Sequence, residues 1–264
     1  MTLLTNIDKY KVRQAFAQSA TTYDDFAYLQ RTVAAELLRR SGLPKLHGKV
    51  VDLGCGTGYL TQLLSELGGF SHLWGLDIAP AMLSMAIKRE LASVSYVCAD
   101  LEQLPIQSNS IDWLFSSLAL QWCLDLPATL REYQRVLRPG GQLCFATFGE
   151  ATLQELKQAW RAVDRAPHVN AFYAEADLLE LLRTGGWQNI TLSKQDYQCQ
   201  YGSVHSLLRE LKGLGAQHVL QGRQSQLMGK ARWKTMLDAY PKLDETGKII
   251  ATYEVIWVQA TVVK

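Results

Sequence analysis

Three carboxylates and a run of glycines are the residues in this chain whose types and spacing could do chemistry. Val50–Leu60 reads VVDLGCGTGYL: an apolar run closes on Asp52, Gly54, Gly56 and Gly58 follow on alternate positions, and Leu60–Leu67 has helical spacing. A buried strand that turns through glycines into a helix is a ligand-binding device. Glycine takes the positive φ of the turn and lets ligand atoms reach the backbone without meeting a Cβ. The helix N-terminus beyond it offers free N–H groups to an anionic or polar ligand. Two further strand-like runs close on acids. His72–Leu76 leads to Asp77, about 20 residues past the loop, where a carboxylate can accept both hydrogen bonds of a ribose diol. Val94–Cys98 leads to Asp100 and Leu101, an acid for an adenine amino group and a backbone N–H for a ring nitrogen. Either acid alone could be a strand-end cap; with the glycine loop they read as one binding set.

Positioning these groups takes alternating strands and helices. Strands are expected at Lys49–Leu53, His72–Leu76, Val94–Cys98, Ile111–Ser116 and Gln142–Phe148, and helices at Tyr59–Leu67, Pro80–Glu90 and Pro127–Leu137. Such alternation predicts an α/β fold with a doubly wound, mostly parallel sheet covered on both faces, and ligand at the carboxyl ends of its strands. Residues 1–47 read as an N-terminal helical cap, with a helix through Tyr10, Val12 and Phe16, a loop at Thr21–Asp25 and an amphipathic helix at Leu29–Arg40. Residues 48–150 are the cofactor-binding core. Residues 151–264 supply helices at Thr152–Val163 and Glu175–Arg183, two last strands at Trp187–Tyr197 and Ile249–Val263, and between these strands a helical lid insertion at Ser203–Gln217 and Lys230–Ala239. The whole, 1–264, is expected to be a single domain with seven strands.

Composition excludes several classes. The chain is 48% hydrophobic with a net charge of +2, too mild a charge to argue for nucleic acid. Apolar runs fall short of a membrane span, and Asp8, Lys9, Lys11 and Arg13 interrupt any secretory leader. The five cysteines form no CxxC pair and no zinc spacing, so a reduced, cytoplasmic protein without metal is expected. Basic residues gather at His205–Lys234, where Arg209, Lys212, Arg223, Lys230, Arg232 and Lys234 face Glu210 alone.

The third glycine stands one place earlier than in a nicotinamide fingerprint. Asp52 with Gly54, Gly56 and Gly58, then Asp77, Asp100 and RVLRPGG (Arg135–Gly141), resembles the class I S-adenosylmethionine-dependent methyltransferases over about residues 48–148. That resemblance implies S-adenosyl-L-methionine as cofactor, with Asp52, Gly54, Cys55, Gly56, Gly58, Asp77, Ile78, Asp100, Leu101 and Ser117 around it. Outside the shared core, AFAQSATTYDDFAYLQ (Ala15–Gln30), SSLALQWCLDL (Ser116–Leu126), VDRAPHVNAF (Val163–Phe172) and TYEVIWVQA (Thr252–Ala260) look like the malonyl-acyl-carrier-protein O-methyltransferases of biotin synthesis. Trp257-Val258 and Lys230 depart from that pattern. The resemblance implies methyl transfer to the free carboxylate of a malonyl thioester. Such a carboxylate is already ionised at neutral pH, so no general base is required, and none is evident. Tyr23, Gln121, Trp122 and His168 are the candidates to orient the acceptor. An acidic carrier protein requires a basic face, either Arg131, Arg135 and Arg138 or Arg209, Lys212 and Arg223. The alternative is a class I methyltransferase for another small molecule, such as a quinone precursor. A phenol or carbon acid there would call for a base in the pocket.

Overall fold

The computed structural model describes residues 8–216 and 229–263. In chain order the helices are α1 (Lys9–Ser19), α2 (Tyr23–Phe26), α3 (Tyr28–Ser41), α4 (Tyr59–Leu67), α5 (Pro80–Ile87), α6 (Leu126–Val136), α7 (Gln154–Arg161), α8 (Glu175–Thr184), α9 (Val204–Gly213) and α10 (Lys230–Ala239). The strands are β1 (Lys49–Leu53), β2 (His72–Asp77), β3 (Val94–Cys98), β4 (Ile111–Ser117), β5 (Leu137–Phe148), β6 (Trp187–Tyr201) and β7 (Ile249–Val262). They form one seven-stranded sheet in the order β3-β2-β1-β4-β5-β7-β6. The first five strands are parallel, whereas β7 runs antiparallel to both of its neighbours. The doubly wound sheet expected from the alternation is therefore present.

Helix ends follow local chemistry. Asp8 caps α1 by accepting from the N–H groups of Tyr10 and Lys11. Gly42 ends α3 in the left-handed conformation, its N–H donating to the Arg39 carbonyl. Pro80 opens α5, where its missing N–H costs nothing. In α3 the residues Leu29, Val33, Ala34 and Leu37 line the buried stripe. Val50 and Val51 show the pleat: the first joins Val33, Leu37 and Leu64 in the core on one face, the second joins Leu130, Tyr133 and Leu182 on the other. Each such buried aliphatic side chain contributes about 1.5–3 kcal/mol.

Three local expectations are corrected. Thr21–Asp25 is not a loop throughout, because residues 23–26 close one helical turn, α2. The strand expected at Gln142–Phe148 begins earlier, at Leu137: Leu137 pairs with Ile111 and Gln142 with Trp113, so the residues between them, Pro139, Gly140 and Gly141 included, form a bulge inside β5. β6 runs four residues past Tyr197, because β7 supplies partners as far as the pair Tyr201–Ile249.

That last pairing places the lid. β5 stops at Phe148 opposite Val255, while the β6–β7 ribbon continues over Ile249–Glu254. At about 3.4 Å per residue the ribbon projects ~20 Å past the carboxyl end of β5. α9 and α10 lie on this projection, with Val204, Leu207 and Met236 in the same core as α3 and α7. The end of α9 reaches the cap. A Cβ on Gly213 would stand 2.3 Å from the Phe26 ring, and one on Gly215 would stand 3.0 Å from the Ala15 carbonyl oxygen. Trp257, one of the departures noted above, packs under the Arg40 guanidinium at 4.2 Å and donates to the Val33 carbonyl. It belongs to the α3–sheet packing.

Candidate active site

Gly54, Gly56 and Gly58 all have positive φ (70°, 54° and 84°). Two of them are forced by packing. A Cβ on Gly54 would lie 2.3 Å from that of Ala119, and one on Gly58 3.0 Å from that of Ala86. Gly56 differs, since a Cβ there would meet nothing within 4 Å. Its backbone faces open space, as a cradle for a ligand must. The loop is tied to β2 by the N–H groups of Gly54 and Cys55, which both donate to the Leu76 carbonyl.

The acids at the strand ends hold this loop in shape. Asp52 is buried and accepts from Thr61 Oγ1 at 2.6 Å. Desolvation pushes its carboxyl up to about 7, against the hydrogen bond from Thr61. Asp77 accepts from the Gly56 N–H (3.0 Å) and the Ala79 N–H (2.8 Å). Burial raises its pKa and these backbone donors oppose the rise. Asp100 accepts from the Glu102 N–H and from Lys9 Nζ at 2.5 Å, and Lys9 also pairs with Glu102. Leu101 lies against Gly54, and the Ile78 carbonyl accepts from the Cys98 thiol. The buried Cys55 thiol lies beside the Gly56 carbonyl, and burial raises its pKa well above the ordinary thiol range, so Cys55 is no nucleophile. Ser117 Oγ is buried with no hydrogen-bond partner.

The cap closes over this loop. Tyr23, Gln30 and Arg31 join Asp52, Gly54, Gly56 and Ser117 around a cavity of about 440 Å³, open mouth included. Burial, then Asp77 and Asp24, push the Tyr23 phenol above its ordinary range, so it remains a hydrogen-bond donor. A clasp fastens α2 to the loop: Thr57 Oγ1 donates to Asp24 Oδ1 (2.7 Å), Arg89 Nη2 reaches Asp24 Oδ2 (3.1 Å), and Arg89 Nε donates to the Thr57 carbonyl (2.6 Å). Sequence reasoning missed Asp24, Gln30, Arg31 and Arg89. Asp24 and Gln30 stand in the family-like run Ala15–Gln30, but no local signal marks Arg31 or Arg89.

Gln121 follows β4 on a single 3-10 turn, Leu120–Trp122. It lines a second cavity, of about 430 Å³ with its mouth, together with Thr147, Phe148, Phe172 and Tyr173. Its amide donates to the Leu118 carbonyl and accepts from Thr147 Oγ1. Trp122 does not line this cavity. It packs edge-on against Phe16 of α1 at 5.6 Å and so anchors the cap. His168 is committed elsewhere: it stacks on Trp160 at 3.8 Å and bonds Asp164 at 2.7 Å.

The basic candidates separate as clearly. Arg135 forks onto Glu132 and donates to the carbonyls of Leu104 and Ile106. Arg138 pairs with Asp112 at 2.8 Å, beside the start of β1 and so at the end of the sheet away from the loop. Neither arginine is therefore placed to receive a partner over the site. Arg209 and Lys212 are exposed on α9, above the carboxyl ends of the strands. Arg223 lies outside the described residues.

Strand order, glycine loop and strand-end acids together are the architecture of class I S-adenosylmethionine-dependent methyltransferases. The residues present fit that cofactor, with an open cradle at Gly56, acids at the ends of β2 and β3 and an unpartnered hydroxyl at Ser117. A family profile described as a methyltransferase domain matches residues 51–145. Malonyl-[acyl-carrier protein] O-methyltransferase of Gallionella capsiferriformans is 40% identical over 260 residues, covering 95% of this chain and 90% of that protein. The Serratia marcescens protein of the same name is 40% identical and covers 89% of each. The chain also matches the biotin biosynthesis bifunctional protein BioHC of Cellvibrio japonicus at 36% identity, over 97% of its own length and 51% of that protein. Among solved structures, Haemonchus contortus phosphoethanolamine N-methyltransferase 2 with S-adenosyl-L-methionine is similar in fold (TM-score 0.59, 16% identity, 94% of this chain and 57% of that one). The chain belongs to the malonyl-[acyl-carrier protein] O-methyltransferase family.

Proposed function

We propose that this chain methylates the free carboxylate of a malonyl thioester carried on acyl carrier protein, an early step of biotin synthesis, as a cytoplasmic enzyme in which residues 1–264 act as one catalytic unit. The observation that carries this reading is the chemistry of the cavity beside Gln121. It is lined by aromatic and aliphatic side chains, two neutral polar groups, Gln121 and Thr147, and the Tyr173 phenol. Burial pushes the Cys123 thiol there up to about 12. No carboxylate, imidazole or amine lines it among the described residues, so the acceptor has to arrive ionised. A malonyl carboxylate does so; a phenol or carbon acid does not.

S-adenosyl-L-methionine, when bound, supplies an electrophilic methyl group on a sulfonium. The protein has three tasks. Gln121 and the Tyr23 phenol offer donors to orient the acceptor carboxylate. Phe148 and Phe172, edge-to-face at 5.7 Å, wall the approach so that oxygen, methyl carbon and sulfur can align. The cap and the α9–α10 lid exclude water, which strips the carboxylate of its hydration shell. Arg209 and Lys212 on the lid form the proposed dock for an acidic carrier protein.

The test uses purified protein with methyl-labelled S-adenosylmethionine and, separately, malonyl carrier protein, malonyl-CoA and a quinone-precursor phenol. Label is expected as a methyl ester on the malonyl group. Transfer to the phenol alone, or to no malonyl thioester, overturns the reading.

A further inference from the structure

A positive charge without an ion pair stands at the rim of the acceptor cavity. The closed end of that cavity is buried, at Leu120, Leu126 and Phe145, whereas Leu124, Ala171 and Phe172 at its rim reach solvent. Lys157 of α7 holds its ammonium 5.4 Å from the centre of the Phe172 ring. A tight turn puts it there. Leu153, just past the end of β5, takes the left-handed conformation (φ 56°) and its N–H donates to the Thr252 carbonyl. The chain then enters α7 and doubles back, so that Lys157 Nζ donates to the Glu150 carbonyl at 2.8 Å.

Among the described residues that carbonyl is its one hydrogen-bond partner, and no carboxylate pairs with it. Burial lowers the pKa of the ammonium against the attraction of Glu150, and Arg161 repels it further. The other acids of this region are occupied. Glu155 holds Thr252, Asp164 holds His168 and Arg232, and Glu254 holds the Ala151 N–H and Lys194. Arg161 lies one turn beyond Lys157 on α7, exposed. Two cations at i and i+4 destabilise a helix, and an anion seated between them turns that repulsion into attraction. Lysine offers such an anion a point charge and arginine a planar fork, the pairing that suits a phosphate.

With the acceptor carboxylate beside Gln121, its thioester leaves over the rim on the phosphopantetheine arm of a carrier protein. That arm ends in a phosphodiester, which stays ionised at any working pH. We propose that Lys157 and Arg161 hold this phosphate, so that the arm lies along α7 while the malonyl group enters past Phe172. This rests on the thioester reading of the acceptor and adds a recognition site for the arm itself. It is separate from Arg209 and Lys212, whose proposed partner is the surface of the carrier protein. Coenzyme A carries a phosphate at the same point of its own pantetheine arm, so the test has to distinguish the two sources.

Titration calorimetry compares 4′-phosphopantetheine with pantetheine, and kinetics compares malonyl carrier protein, malonyl-CoA and malonyl-pantetheine, which has no phosphate. The wild type is expected to bind phosphopantetheine about 10-fold more tightly than pantetheine. Lys157→Met removes that preference and raises the KM for malonyl carrier protein and malonyl-CoA about 10-fold. The KM for malonyl-pantetheine and the affinity for S-adenosylhomocysteine move less than about 2-fold, because neither ligand carries the phosphate. Lys157→Arg keeps most of the preference. Melting temperatures identify a variant that fails to fold, and Arg161→Glu, at an exposed position, then carries the comparison and should also abolish the preference. A KM raised equally for malonyl-pantetheine would make Lys157 a support for Phe172 and overturn the proposal. A KM raised for the carrier protein alone, with malonyl-CoA unchanged, would overturn it too, since α7 would then meet the protein and not the phosphate. A wild type that prefers phosphopantetheine but methylates no malonyl compound keeps the phosphate site and removes the proposed function. One that methylates malonyl thioesters without that preference removes the site and keeps the function.

Discussion

The two sides of the active site are built from different material. The cofactor side is mostly backbone: a loop of five residues, Gly54–Gly58, pinned to β2 by Gly54 and Cys55 and to Asp77 by Gly56. The acceptor side is mostly side chains drawn from distant segments. Gln121 comes from the turn after β4, Phe148 from the end of β5 and Phe172 from the segment before α8. Over both lie a cap from residues 8–41 and a lid inserted between the last two strands. A contiguous backbone site can change only by distorting one turn. A site assembled from separate elements can exchange one wall and leave the others standing. On the proposed function, the cofactor half defines the class of enzyme and the other half its substrate.

The contrast is sharpest at Gly54. Gly54→Val places a β-branched residue at φ +70° with its Cβ 2.3 Å from that of Ala119. Strain of roughly 1–3 kcal/mol, with the displaced loop, is expected to lower S-adenosylhomocysteine affinity at least ~100-fold, and calorimetry reads it. Near-normal affinity would mean that the loop geometry is not what binds the cofactor.

On the lid, reversing charge at Arg209 and Lys212 to Glu should raise the KM for malonyl carrier protein about 10-fold at low ionic strength, an effect that fades in high salt. Turnover at saturation and S-adenosylhomocysteine binding should not change. A salt-insensitive KM would remove α9 as the dock, and an altered cofactor affinity would erase the division between the two sides.

The smallest effect concerns Asp52. Its folded pKa of about 7 exceeds the usual carboxylate value because burial disfavours its charge. The folded state then binds the extra proton across the window from about 4 to about 7, so this group's contribution to stability falls as pH rises through it. Asp52→Asn keeps an acceptor for Thr61 and removes the titration. The ligand-free variant should gain on wild type in melting temperature from pH 5 to pH 8. Parallel melting curves across that range would mean that Asp52 does not titrate there.

The glycine loop and its acids were legible because their requirements are local. Positive φ, a strand end and a helix start are written within a few residues of one another, and the 20-odd residues to Asp77 are one helix and one strand. Trp122 and His168 illustrate the limit. Each stands in a run of residues typical of the family, yet the fold uses Trp122 to anchor α1 and stacks His168 on Trp160. Which wall an aromatic joins depends on elements far away in sequence. Arg135 and Arg138 illustrate it again, since a shared helical side says nothing about which end of the sheet they reach.

By itself the sequence determined the parallel sheet, its crossovers and the glycine loop, because periodicity and glycine φ are properties of neighbouring residues. Tertiary structure alone decided how far the β6–β7 ribbon overshoots β5, that the lid meets the cap at Gly213 and Phe26, and that Arg31 of the cap lines the cavity over the glycine loop. Those outcomes depend on which surfaces pack together, and no local pattern carries that information.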